Sequence, residues 1–312
     1  MRWLRQRFQS LETLTHFSVD MKKILLIITL TLNLFALDAF IKPSELKDSL
    51  KNENTLVLDV SPYALYMRGH IEGATHVDIL KFINPESPYK LMNAPALIQD
   101  ELTSLGINKG SQVVLYSHNG AVNTLYCSYL AFILISHGFE NVSILDGGYM
   151  AWVFENELLT STEKPSRSDG NFIVEKQPAF FATLEYIQAN SSKIKLLDSR
   201  SAHEYYGVAR SGNIKEIGHI PHAKSSFYQD KFLTDFTIQS DDVLEAIFIN
   251  GHELKKEDEI VIYGENAMSA SMNWFILYKK MGFKNAKLYE ASLLEWGNIE
   301  ALPMVKYKWE TR

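Results

Sequence analysis

Asp198-Ser199-Arg200, then Tyr205, then Gly218-His219-Ile220-Pro221-His222-Ala223, then Ile260-Val261-Ile262-Tyr263: this run decides how the chain is read, because an earlier stretch repeats it. The first copy has Asp59-Val60, Tyr66, Gly69-His70-Ile71-Glu72-Gly73-Ala74 and Val113-Val114-Leu115-Tyr116. After its tyrosine each copy continues with a short polar loop, an apolar stretch of helical spacing and a Gly-Phe-X-Asn turn. The turns are Gly138-Phe139-Glu140-Asn141 and Gly282-Phe283-Lys284-Asn285, and the copies close on Trp152 and Trp296. A repeat this long indicates two domains, each able to bury its own core, rather than a solenoid.

Outward from these blocks, Val57–Val60, Val113–Tyr116, Val142–Leu145 and Ile260–Tyr263 are short apolar runs bounded by polar residues, the pattern of buried parallel strands. Helical spacing predicts helices over Ala94–Leu105, Val122–His137, Ser240–Asn250 and Ser269–Met281, with Gly106 and Gly138 as stops. Strand alternating with helix gives an α/β class, each copy a parallel sheet with helices on both faces. The expected domains are 40–159 and 172–312, joined by a linker at 160–171 rich in Ser and Thr. The spacing from Asp198 to Gly218 is 20 residues against 10 from Asp59 to Gly69, an insertion that includes Val208–Asn213 and is expected as surface loop.

The 312 residues accommodate two domains of ordinary size, and 46% apolar with 22% charged residues is the balance of a soluble globular chain. A formal charge of −6 without a Lys/Arg stripe argues against a nucleic-acid partner. Residues 1–39 are expected to be an N-terminal extension and signal peptide. Met21-Lys22-Lys23 precedes the apolar run Ile24–Leu32, which is shorter than the roughly 20 residues of a membrane span. Met21 is then the start, with cleavage after Ala36 or Ala39 and a periplasmic or otherwise exported product. An uncleaved anchor is the alternative, and membrane contact then goes through this segment alone. The single Cys127 excludes an internal disulfide.

The loop after each tyrosine matters most, since a strand's carboxyl end meeting a helix's amino end is where open α/β sheets bind ligands. With Asp198-X-Arg200, Tyr205, Gly218-His219-Ile220-Pro221 and Tyr289-Glu290-Ala291-Ser292-Leu293-Leu294-Glu295-Trp296-Gly297 in order, the chain resembles the tandem rhodanese family, the thiosulfate and 3-mercaptopyruvate sulfurtransferases. Glu290 and Ala291 depart mildly from the family's Tyr-Asp-Gly-Ser block. The resemblance implies two rhodanese-like domains and a cysteine directly after the second domain's tyrosine. In active members that thiolate carries sulfane sulfur as a persulfide, stabilised by converging N–H groups and the following helix. Here that position is Gly264, in the loop Gly264-Glu265-Asn266-Ala267-Met268-Ser269. The first-domain equivalent is Ser117-His118-Asn119-Gly120. Glycine has no atom that can attack, and Glu265 adds negative charge.

The expectation is therefore an exported, catalytically inactive family member that binds a small ligand or a periplasmic protein through the second loop and the interdomain cleft. Asp198 and Arg200 are its possible neighbours, and no cofactor or metal is implied. The rival is a working sulfurtransferase. Cys127 lies inside a helical pattern and reads as core. Ser117 and His118 are adjacent on one loop and lack an orienting third group, which makes a nucleophile–base pair the poorer reading. His70 and His219 lack metal-ligand neighbours and read as structural.

Overall fold

In the computed structural model, which describes residues 38–118, 120–155 and 159–308, each copy forms a five-stranded parallel sheet. Edge to edge, the first is Phe40–Ile41, Val142–Leu145, Gln112–Tyr116, Thr55–Asp59 and Thr75–His76. The second has the same order: Phe181–Ala182, Ala286–Tyr289, Ile260–Tyr263, Lys195–Asp198 and Ala223–Ser225. Every residue of Thr55–Asp59, Gln112–Tyr116 and Ile260–Tyr263 is buried, which is why these runs lack polar alternation. The register sets Asp59 beside Tyr116 and Asp198 beside Tyr263, so each copy's aspartate and tyrosine end at the mouth of its loop. The basic-apolar segment before Leu37 lies outside the described residues. Among those described, no helix is long and apolar enough to cross a membrane.

The helices after the two loops are Ala121–Ser136 and Ala267–Phe275, and they pack on each other. Ser128 and Ser271 share a hydrogen bond of 2.7 Å between them, and Phe132 meets Trp274 edge-to-face at 4.7 Å. One apolar core consequently runs from Leu58 and Val113 through Leu130 and Phe132 to Trp274 and Leu288. Burial of large side chains such as Phe132 and Trp274 contributes about 1.5–3 kcal/mol each. The two second-domain helices expected from the sequence end differently from the 3.6-residue spacing. Asp241–Glu245 widens into a π-helical turn at Ala246–Gly251, and Ala267–Phe275 into one at Ile276–Lys280.

Each copy also sends a hairpin to the other. Ile83 pairs antiparallel with Met92, and Phe232 with Ile238. The Met92 N–H donates to the Glu290 carboxylate, and the Ile238 N–H to Asp146 Oδ1 at 2.7 Å. Asp146 and Glu290 directly follow equivalent strands, so the two bonds are reciprocal. The stretch 160–171 lies along the first domain. Thr160–Ser161 pairs with His70–Ile71, and Arg167 donates to Thr75 Oγ1 and Gly73 O, both at 2.9 Å. A Cβ at Gly170 would stand 2.2 Å from the Ile107 carbonyl oxygen, so only glycine fits that approach.

Candidate functional site

The Gly-His-Ile blocks build the floor of both sites in the same way. His70 Nδ1 donates to Tyr66 O at 3.0 Å with the rings stacked at 3.8 Å; His219 Nδ1 donates to Tyr205 O at 2.8 Å with the rings at 3.7 Å. The Tyr66 and Tyr205 hydroxyls donate to Ala74 O and Ala223 O. The strand-end tyrosines accept from the next residue of each block: Ile71 N–H to Tyr116 at 3.0 Å, Ile220 N–H to Tyr263 at 3.1 Å. These histidines are struts, as their isolation in the sequence implies. Among the described residues no group of three or more His, Cys, Asp or Glu could hold a metal ion.

In the second domain the loop from Gly264 to Ser269 closes on itself. The Gly264 N–H donates to Ser292 Oγ at 3.2 Å. The Asn266 N–H donates to Ser269 Oγ at 3.2 Å, and the Ser269 N–H to Asn266 Oδ1 at 3.3 Å. Asn266 and Ser269 thus cap the helix Ala267–Phe275 reciprocally, satisfying N–H groups that its first turn would leave open. A side chain at Gly264 fits only if Ser269 moves aside. Its Cβ would lie 2.2 Å from Ser269 Oγ, 3.1 Å from Ser269 Cβ and 3.3 Å from Ala270 N. The serine hydroxyl fills the space where a cysteine side chain would begin. Three N–H groups that could converge on a bound anion already have acceptors within the chain.

Arg200 is buried and held on all sides. Its Nε donates to Asp198 Oδ1 at 3.0 Å and its Nη2 to Asp198 Oδ2 at 2.5 Å. Nη2 also reaches Gly218 O at 2.6 Å and Nη1 reaches Ser211 Oγ at 3.3 Å. Such a forked pair on a buried carboxylate is a structural ion pair, and four of the five guanidinium N–H groups are already engaged. The inserted segment does more than cover surface. Although Val208 is exposed, Ser211 and Ile214 are buried, because the segment folds inward to donate the Ser211 hydroxyl to Glu204 and to place Gly212 against the Glu265 carboxylate. Burial would raise the Glu204 pKa, but the hydroxyls of Ser211 and Ser201 outweigh it and hold this carboxyl below its ordinary range. Spacing alone located the insertion and carried no sign of this docking.

The first-domain site meets the same need with other residues. Asp59-Val60-Ser61 lacks the arginine, and His118 stands in its place: Nε2 donates to Gly69 O at 3.0 Å and lies 3.9 Å from Asp59 Oδ2. Gly69 O is the counterpart of Gly218 O, so imidazole and guanidinium serve one carbonyl. The His118 N–H donates to Ser61 Oγ at 2.7 Å, and its ring stacks on Tyr149 at 4.0 Å. Burial pushes the imidazole below the usual histidine range despite Asp59, so it is neutral at pH 7 and Asp59 Oδ2 stays buried without a well-formed hydrogen bond. Ser117 is buried, its carbonyl accepting from Tyr149 N–H at 3.0 Å. Its hydroxyl neighbours Cys127, so Ser117 and His118 do not form a nucleophile–base pair. Asn119 lies outside the described residues.

Cys127 is 1% exposed, and burial pushes its thiol up to about 12. Native protein at pH 8 is expected to leave an aromatic disulfide reagent unreacted over hours and to release one equivalent of thiolate on denaturation. Prompt labelling of native protein would show an open thiol instead.

Comparison with known proteins agrees with this architecture. The model of the rhodanese-like domain matches residues 42–155 and 183–299. The sulfur carrier protein TtuD of Thermus thermophilus is 30% identical over 283 residues, covering 83% of this chain and 94% of the relative. A thiosulfate sulfurtransferase of Corynebacterium glutamicum is 27% identical over 264 residues, covering 81% and 82%. Among solved structures, a variant of EanB in complex with ergothioneine superposes with a TM-score of 0.78 at 22% identity, over 89% of this chain and 72% of that one. YnjE gives 0.77 at 20% identity, over 87% and 69%. Two matched domains, two sheets of one strand order and two loops in equivalent places establish a tandem member of the rhodanese family.

Proposed function

We propose that this chain is an exported rhodanese-family protein that no longer transfers sulfur and acts by binding a small ligand or a protein partner through its second-domain loop and interdomain cleft. One observation carries the reading: position 264 holds glycine, and the Ser269 hydroxyl occupies the space a thiol would need. A persulfide requires a sulfur nucleophile, and neither loop supplies one; the sole thiol is buried in the core. With Gly264, Asn266 and Ser269 N–H groups engaged, and Glu265 beside them, a partner that brings its own donors fits the loop better than a small inorganic anion. Export rests on the basic-apolar segment from Met21 to Ala36.

The rival reading, a thiosulfate sulfurtransferase, takes its support from the relatives bearing that name. Protein incubated with thiosulfate is expected to show no one-sulfur mass adduct, and no thiocyanate above background when cyanide is added. Turnover abolished by Cys127→Ala would overturn inactivity. Intact mass of protein from a periplasmic extract, ending the leader at or near Ala36, checks export; a full-length cytoplasmic product would sink it.

A further inference from the structure

Where the first domain's hairpin meets the second domain, a cavity of about 460 Å³ opens beside the Tyr289-Glu290-Ala291 block. It lies in the size range of small-molecule sites. Tyr89 and Phe181 supply aromatic wall with buried Tyr289 behind it, and Leu91 adds further apolar surface. Three carboxylates line it, from Glu185, Glu290 and Glu295, against a single cation, Lys176. That lysine already shows what this surface attracts, for its Nζ sits over the Phe181 ring, 4.5 Å from the centroid. Glu295 accepts the Tyr289 hydroxyl at 2.6 Å, which fixes that wall, and Glu290 is tied to the Met92 N–H. Burial raises the Glu290 pKa, so its ionised form gains from any positive charge brought beside it. Glu290 and Ala291 are also the residues at which this block leaves the pattern it otherwise resembles.

We propose that the cavity binds an organic ammonium with an apolar body: the charge sits among Glu185, Glu290 and Glu295, and the body lies against Tyr89 and Leu91. Phenethylamine, protonated at pH 7, is titrated into the full chain by calorimetry beside phenethyl alcohol, its neutral counterpart of equal size. The amine is expected to saturate with a Kd in the millimolar range or tighter, about ten-fold better than the alcohol. Tyr89→Ala and Glu290→Gln should each weaken it about five-fold. Glutamine keeps the acceptor for Met92 N–H; if Glu290→Gln nevertheless melts early, Glu185→Gln on the exposed rim reads the same charge with an expected loss of about two-fold. Equal affinity for amine and alcohol, no saturation by the amine, or unchanged binding in both Tyr89→Ala and a carboxylate variant would each overturn the proposal.

Discussion

Arg200→Met should cost the protein about 3–5 kcal/mol, because it strands a buried carboxylate that now has a forked partner. Asp198 is fully buried, and the guanidinium gives it two of its hydrogen bonds while also satisfying Gly218 O and Ser211. Methionine restores the volume and none of the donors. Chemical denaturation at pH 7 reads the loss. The first domain provides the control, since Asp59 lives without a full positive charge: His118 is neutral and 3.9 Å away. His118→Gln should therefore cost only about 1 kcal/mol, the worth of a hydrogen bond to Gly69 O. Equal losses in the two domains would mean that the forked pair is not what holds the second site together.

That contrast also marks where the sequence stops being legible. The strand runs Val142–Leu145 and Ile260–Tyr263 appear in the structure as read, because parallel strands buried on both faces leave continuous apolar runs that periodicity detects directly. The structural roles of His70 and His219 followed from their lack of ligand neighbours, and both do bond local carbonyls. Other features depend on contacts between residues far apart in the chain. Nothing about Ser61 or His118 individually announces that an imidazole answers to Gly69 where Arg200 answers to Gly218; only the superposition of the copies reveals the exchange. The inward fold of Ser211 and Ile214 is of the same kind, since a polar insertion looks like surface until it is seen to bond a half-buried glutamate. The reciprocal bonds to Asp146 and Glu290 join hairpins over 90 residues or more from their acceptors. The glycine at 264 was plain in the sequence. What Ser269 does with the vacated space was not, because a serine in the first turn of a helix is unremarkable as a cap.

Restoring the nucleophile alone should therefore fail. In Gly264→Cys the new Cβ meets Ser269 Oγ at 2.2 Å, so the serine must rotate and give up its bonds with the Asn266 N–H and carbonyl. The expected result is a loss of about 1–3 kcal/mol in stability, the usual cost of forcing atoms into filled space, with sulfur transfer still at background. Adding Ser269→Gly removes both near atoms, Oγ and Cβ, and frees the Asn266 N–H to point at the sulfur. The helix Ala267–Phe275 then presents its positive end to the thiolate. The glycine itself costs about 0.5–1 kcal/mol within the helix, so Ser269→Gly alone is the stability reference. The double variant should take one sulfur from thiosulfate by intact mass and form thiocyanate at least about ten-fold faster than Gly264→Cys, a difference of roughly 1.4 kcal/mol in barrier. If the single variant turns over as fast as the double one, the serine hydroxyl yields without cost and only the missing sulfur silences the loop. If neither accepts sulfur while both fold, the obstacle is charge. Glu265→Gln on the double background should then open the site, since it removes the carboxylate beside the position an anionic donor would occupy.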